Sequence, residues 1–99
     1  MQEKVEEFNK GRSPLSVEHR LLDIQSELGE LSKEVLKSTN YGEKDFEMTA
    51  AFKEEFGDVL YAVLSLANEQ GINAEESLDI VIRKMKERQA RKNHIGSEE

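Results

Sequence analysis

The sequence predicts an all-α fold arranged as a four-helix bundle, and three observations support it. Apolar residues recur every three or four positions over long segments, whereas period-two alternation never lasts more than a few residues. Six glycines and one proline in 99 residues are too few for a fold of short strands and turns. Hydrophobic residues make up 36% and charged residues 35%, which is typical of bundles with strongly solvated outer faces. A chain of this length is expected to form one domain, residues 1–99.

The first part of the chain is predicted to form a short helix followed by a long one. Residues 2–9 form the short amphipathic helix, and GRSP at 11–14 ends it. Ser13 and Pro14 are predicted to cap and open the first long helix, about residues 14–38. Its apolar stripe advances in steps of three and four and consists of Val17, Leu21, Ile24, Leu28, Leu31 and Val35.

A turn-rich segment precedes the second long helix. STNYGEKD at 38–45 carries the asparagine, glycine and aspartate that favour loops and caps. The helix is then predicted over about residues 46–70, and Gly71 is placed to end it. Its stripe consists of Phe52, Phe56, Val59, Val63 and Leu66.

A third long helix is predicted over about residues 74–92. Asn73 followed by Glu76 is a variant of the capping box, which marks a helix start. The residues expected to face inward are Leu78, Val81, Ile82 and Met85. The tail, residues 94–99, is expected to be flexible. Since one short chain buries a limited share of its surface, the core is expected to be completed by oligomerisation.

The charge of the chain excludes several classes of function. A net charge of −7 argues against binding of nucleic-acid polymers, which needs a basic surface. No apolar stretch approaches the roughly 20 residues of a membrane span, so no membrane association is expected. The start MQEKVEEF has neither the basic region nor the apolar run of a signal peptide. These features predict a cytoplasmic protein without disulfides or thiolate metal sites, since cysteine is absent.

Two segments of the chain resemble each other: SELGELSKEVL at 26–36 and EEFGDVLYAVL at 54–64. Each places a glycine between two acids, although glycine inside a helix costs about 1 kcal/mol relative to alanine. Glycine at these positions would let a ligand or another helix approach the backbone.

The acids of both segments fall on the same flank of their apolar stripes. At 100° per residue, Glu27 and Glu30 lie about 80° and 140° from the direction of Val17, and Glu55 and Asp58 lie about 60° and 120° from that of Phe52. In antiparallel neighbours these flanks can face each other. Four acids beside an apolar core need compensation, and a hard cation with oxygen ligands fits, Mg²⁺ first and Mn²⁺ second. The alternative is that these acids are solvated helix surface.

The combined pattern resembles a known family. ELGEL followed by EEFGDVL is similar to the motifs of the MazG-like nucleotide pyrophosphohydrolases, members of the all-α NTP pyrophosphatase superfamily. The resemblance covers about residues 17–90, including ANEQGI and ESLDIVIRK. It departs from the family pattern at Ser26, where an acid usually precedes Glu27; the number of metals or the activation of water could differ as a result.

The resemblance implies a magnesium-dependent enzyme that cleaves (d)NTP to (d)NMP and pyrophosphate by metal-activated water, in a nucleotide-pool house-cleaning role. The four acids are implied as catalytic residues and metal ligands, and a homodimer or homotetramer is implied as the assembly. The alternative is a non-catalytic helical oligomer that binds nucleotide or a partner protein.

Three basic residues of the third long helix are candidates for binding the substrate's phosphates. Lys84, Arg88 and Arg91 lie about 80° to 140° from the direction of Leu78, on the same side as the acids of the other helices. The alternative is that they are favourable cations near a helix C-terminus.

Overall fold

The structure is a computed structural model that describes the backbone of residues 1–98 and the side chains of residues 1–93. Within this part of the chain there are four helices and no strand, so the all-α prediction is confirmed. The helices are α1 (Gln2–Asn9), α2 (Val17–Ser38), α3 (Ala50–Glu69) and α4 (Ala74–Glu98).

Helices α2 and α3 form an antiparallel hairpin that is the centre of the fold. Arg20, near the start of α2, contacts Glu69 at the end of α3, and the hydroxyl of Ser38 donates a hydrogen bond to the carbonyl of Glu47 at the other end. The turn between them contains Gly42 at φ 88°, a left-handed conformation that glycine adopts without steric cost. This pairing brings the two acidic segments side by side.

The start of α2 differs from the prediction that Ser13 and Pro14 cap and open it. The N-cap is Ser16, whose hydroxyl accepts a hydrogen bond from the backbone N–H of His19 at 3.1 Å. The helix therefore begins at Val17, because Ser16 stands where its oxygen can satisfy a free N–H of the first turn. The backbone N–H of Leu15 instead donates to Glu69 at 3.3 Å.

The turn between α3 and α4 follows the sequence pattern. Gly71 lies at φ 67°, and the N–H of Ile72 donates to the carbonyl of Ala67 at 2.8 Å, which closes a Schellman motif. The side chain of Asn73 accepts from the N–H of Glu76 at 3.0 Å and caps α4. Both predicted boundary signals are confirmed.

Helix α1 packs on α3 largely through polar groups. Gln2 donates to Asn68 and accepts from the backbone N–H of Ala74, which ties α1 to the α3–α4 turn. Val5 is the one residue of α1 that is buried, and Phe8 meets the ring of Tyr61 edge-on. Hydrogen bonds therefore add to apolar burial in attaching α1.

Helix α4 leaves its apolar residues uncovered, contrary to the inward orientation predicted for them. Leu78 and Met85 are each 57% exposed, and Val81 and Ile82 are also exposed. The radius of gyration is 18.1 Å, whereas a compact chain of this length has about 13 Å. Within the described residues, the first turns of α4 lie against α1 and α3, and the apolar side chains of α4 stay largely uncovered. The prediction that residues 94–99 form a flexible tail lies outside the described residues. The side chains of 94–99 and the backbone of residue 99 are not described.

None of the helices in the described part of the chain is long and apolar enough to cross a membrane.

A candidate active site between α2 and α3

Three carboxylates from two helices converge in the middle of the hairpin. Glu27 of α2 and Glu55 and Asp58 of α3 each offer an oxygen, and these oxygens lie within 4.8 Å of one another. The antiparallel pairing creates the cluster, since Glu55 and Asp58 lie three residues apart on one face of α3 and Glu27 faces them from α2. Glu27 and Glu55 are half-buried and Asp58 is exposed.

Partial burial, together with the closeness of negative charges, raises the pKa of two members of the cluster. The pKa of Glu27 is raised by partial burial first, and then by the charge of Asp58. The pKa of Glu55 is raised by the same two causes in the same order. Glu27 and Glu55 are therefore harder to ionise than usual, because water solvates them less and neighbouring acids repel their charge.

Glu30, the fourth predicted ligand, is not part of this group of three. It lies close enough for its charge to raise the pKa of Glu27 and Glu55, but its carboxylate faces Lys33, with N···O at 3.9 Å. Both side chains of this pair are more than half exposed, so the pair is weak and easily exchanged. Glu30 therefore borders the cluster of three carboxylates without belonging to it.

The donor set of the cluster suits a hard divalent cation. All three converging groups are carboxylates, and Mg²⁺ and Ca²⁺ prefer oxygen ligands of this kind. The absence of cysteine and the composition of the cluster make the site unlike the nitrogen and sulfur sites of zinc. A cation here would relieve the repulsion that raises the pKa of Glu27 and Glu55.

A buried ion-pair network borders the site. The guanidinium of Arg20 donates to both carboxylate oxygens of Glu69, at 3.0 and 2.8 Å, and to Asp23 at 3.1 Å. Arg20 is buried, and its hydrogen bonds lower the pKa of Glu69. This network fixes Asp23 one turn before Glu27. Sequence reasoning missed it, because Arg20 and Glu69 are 49 residues apart and only the spacing of Arg20 and Asp23 gave a local signal.

The glycines between the acids do not mark a close contact within the chain. A Cβ atom added to Gly29 or Gly57 would meet no atom within 4 Å. Gly57 lines a small cavity of about 270 Å³ with Val5 of α1, on a different side of α3 from Asp58. The close approach that the sequence suggested at these glycines is therefore absent from the described residues.

The basic residues predicted to bind phosphates lie on α4. Lys84, Arg88 and Arg91 are all exposed, and within residues 1–93 no ion pair joins them to an acid. The hairpin that carries the acids and the helix that carries these cations are thus separate parts of the fold.

Comparison with known proteins agrees with the geometry. The sequence profile of the MazG nucleotide pyrophosphohydrolase domain matches residues 13–92, which contain every carboxylate of the cluster. The chain is 41% identical over 86 residues to YpjD of Bacillus subtilis (strain 168), covering 83% of this chain and 73% of YpjD.

Solved structures show the same arrangement of helices. A Bacillus-conserved MazG protein, described as a nucleotide pyrophosphohydrolase, superimposes with a TM-score of 0.72 at 30% identity, covering 86% of this chain and 84% of that one. The structure of YpjD from Bacillus subtilis gives 0.69 at 34% identity, covering 85% and 86%. The structure of iMazG from Vibrio DAT 722 gives 0.55 at 32% identity, covering 84% and 92%.

The match extends over most of the chain and includes both acidic segments, which confirms the resemblance found in the sequence. The chain belongs to the MazG family and is a nucleotide pyrophosphohydrolase.

Proposed function

We propose that the protein is a Mg²⁺-dependent hydrolase that cleaves nucleoside triphosphates, (d)NTP, to (d)NMP and pyrophosphate. The observation that carries the proposal is the convergence of Glu27, Glu55 and Asp58 within 4.8 Å in a chain of this family. Hydrolysis of a triphosphate needs neutralisation of the phosphate oxygens, in-line placement of water and removal of a proton from that water. When bound, magnesium supplies positive charge to the phosphate oxygens and lowers the pKa of water.

Metal binding, proton removal and phosphate binding are assigned to residues of the chain. Glu27, Glu55 and Asp58 would hold Mg²⁺, or Mn²⁺ in its place, and Glu30 would join them by releasing Lys33. A carboxylate whose oxygens are not all committed to the metal is suited to take the proton of the attacking water. Lys84, Arg88 and Arg91 would bind the outer phosphates.

We further propose that the working form is a homodimer or homotetramer. The accessible surface of the chain is 8021 Å², whereas a compact monomer of this mass exposes about 5,700 Å². The excess is comparable to what one subunit buries in an obligate homodimer. The exposed apolar residues of α4 supply the kind of surface that such an interface covers. An assembly would also allow the cations of α4 to lie near the acids of another subunit.

The substrate class suggests a cellular role for the protein. We propose that it acts on canonical or damaged dNTPs of the cytoplasmic pool, in a house-cleaning role. The alternative is a non-catalytic helical oligomer that binds nucleotide or a partner protein, and it predicts no hydrolysis of any nucleotide.

Pyrophosphate release from a panel of NTPs and dNTPs, with and without Mg²⁺, tests the proposal. We expect nucleoside monophosphate and pyrophosphate as products, dependence on Mg²⁺ or Mn²⁺, and loss of turnover in Glu55→Gln. Glu18→Gln, an exposed position of α2 distant from the cluster, is the matched control and should keep wild-type turnover. Release of orthophosphate and nucleoside diphosphate, or no release from any substrate, would overturn the proposal.

A further inference from the structure

A cavity of about 530 Å³ lies beside the carboxylate cluster, between the end of α1, the segment before α2 and the last turns of α3. Its volume is within the range of small-molecule binding sites. Its walls include Asn9, Arg12, Arg20, Asp23, Tyr61 and Glu69. The established and proposed chemistry of the cluster uses none of these residues.

The cavity is next to the cluster along both α2 and α3, although no residue of the cluster lines it. Asp23 is one turn before Glu27 on α2, about 6 Å along the helix axis, and Tyr61 is one turn after Asp58 on α3. Asp23, which lines the cavity, is also close enough for its charge to contribute to the raised pKa of Glu27. With the phosphates at the carboxylates, a ligand can therefore place its remaining part in the cavity.

The charge of the cavity suits a neutral group rather than a polyphosphate. Its walls carry three acids and three cations, and two of the cations are already paired. Arg20 is held by Glu69 and Asp23, and Lys10 faces Glu7 at 2.7 Å. A triphosphate would gain little from such walls, since the acids offset the cations.

Arg12 and Asn9 keep hydrogen-bond donors available on the walls. The guanidinium of Arg12 lies over the ring of Phe8 at 4.4 Å, and within residues 1–93 it has no carboxylate partner. The amide of Asn9 accepts from the hydroxyl of Tyr61 and donates one N–H to Ser65 at 3.1 Å, which leaves its second N–H. A planar guanidinium and an amide are groups that recognise the oxygens and nitrogens of a nucleobase.

We propose that this cavity binds the nucleoside half of the substrate, with Arg12 and Asn9 donating hydrogen bonds to acceptors of the base or the sugar. This inference rests on the proposed function for the position of the phosphates. Arg12 and Asn9 are then specificity-determining residues, and the Arg20–Glu69 pair forms the wall that fixes Asp23 between the two halves of the site.

The test compares ligands with and without a nucleoside. Equilibrium binding of a nucleoside monophosphate and of inorganic tripolyphosphate is measured by calorimetry, and KM and kcat are measured for the best triphosphate of the panel. We expect Arg12→Ala to raise the Kd of the monophosphate and the KM of the triphosphate roughly tenfold, the effect of one hydrogen bond to a charged group. The Kd of tripolyphosphate should change less than about twofold. Asn9→Ala should act in the same direction.

Arg83→Ala, which removes an exposed guanidinium of α4, is the matched control and should leave all four quantities unchanged. Far-UV circular dichroism checks that each variant is folded, and Arg12→Lys, which keeps the charge and one donor, should recover part of the affinity. An equal loss of tripolyphosphate binding in Arg12→Ala would overturn the inference, as would an unchanged monophosphate Kd. If the wild type hydrolyses no triphosphate, the proposed function fails, whereas the monophosphate comparison still decides whether the cavity binds nucleosides.

Discussion

Replacing Glu69 by glutamine removes the charge that faces the buried guanidinium of Arg20. The side chains of Arg20 and Glu69 are 8% and 11% exposed, and two hydrogen bonds of 3.0 and 2.8 Å join them. Glutamine has nearly the same shape, but it can accept only through one oxygen and turns an NH₂ group toward the guanidinium. The buried cation is then left with Asp23 as its one charged partner.

The size of the effect follows from this geometry. Removing one partner of a buried ion pair costs about 3–5 kcal/mol, because the other charge stays desolvated. In the variant Arg20 keeps its ion pair with Asp23, and the Arg20–Glu69 pair lies at the wall of a cavity rather than in the apolar core. The low end of this range of about 3–5 kcal/mol therefore applies. We expect the free energy of unfolding to fall by about 3 kcal/mol, which corresponds to a Tm lower by roughly 12–24 °C in a domain of this size.

Urea unfolding followed by circular dichroism at 222 nm measures this change, with protein concentration fixed because an oligomer unfolds in a concentration-dependent way. Glu7→Gln is the control: Glu7 pairs with Lys10 at 2.7 Å, but both side chains are about 70% exposed, so the loss should stay below about 0.5 kcal/mol. A loss below about 1 kcal/mol in Glu69→Gln would refute the reasoning that this pair holds α2 on α3.

The pH dependence gives an independent check on the same pair. Arg20 lowers the pKa of Glu69 below its ordinary value of 4.5. A lowered acid pKa contributes stability that is present above the unfolded pKa and is lost as pH falls through the folded pKa. The difference between wild type and Glu69→Gln should therefore be full at pH 7 and should shrink below about pH 4.5. A difference that stays constant down to pH 3 would contradict the ionic origin of the effect.

Three further predictions concern the candidate site and the assembly. Asp58→Asn and Glu30→Gln should each lower turnover by orders of magnitude, whereas the stability of each variant without metal should hold or rise. Mg²⁺ should raise the Tm of the wild type more than that of either variant, because a ligand that binds the native state stabilises it. Wild-type turnover together with a wild-type Mg²⁺ response in Asp58→Asn would refute its role as a ligand. Gly57→Ala should stabilise the fold by about 0.5–1 kcal/mol, since alanine is the better helix former and the new Cβ meets open space. A Tm lower than that of the wild type would mean that another subunit occupies this space. Light scattering at micromolar concentration should give at least twice the mass of 11.3 kDa, and a monomeric mass would rule out the proposed assembly.

Much of the fold was predictable because it depends on local patterns. The steps of three and four in the apolar residues predicted the three long helices, and Gly71 and Asn73 marked the turn between α3 and α4. The start of α2 was misplaced, because Ser13 followed by Pro14 and Ser16 followed by a helical run both carry start signals. Only the position of the hydroxyl against a free backbone N–H distinguishes them.

The candidate site was predictable in part for the same reason. The spacing of Glu27, Glu55 and Asp58 determines which side of each helix they occupy, and antiparallel pairing then brings them together. The spacing alone did not show that the carboxylate of Glu30 faces Lys33 and lies outside the group of three. The ligand role of all four acids stays a prediction.

The sequence by itself determined the four helices, the caps of the α3–α4 turn and the sides on which the acids lie, since each of these follows from residues within a turn or two of one another. Tertiary structure alone decided that Arg20 is buried against Glu69, that a cavity opens beside Asp23 and that the apolar residues of α4 stay uncovered. These features depend on which helices touch, and at what distance. The apolar stripe of α4 shows that a face needs a partner, but the period of the stripe is the same whether that partner belongs to its own chain or to another.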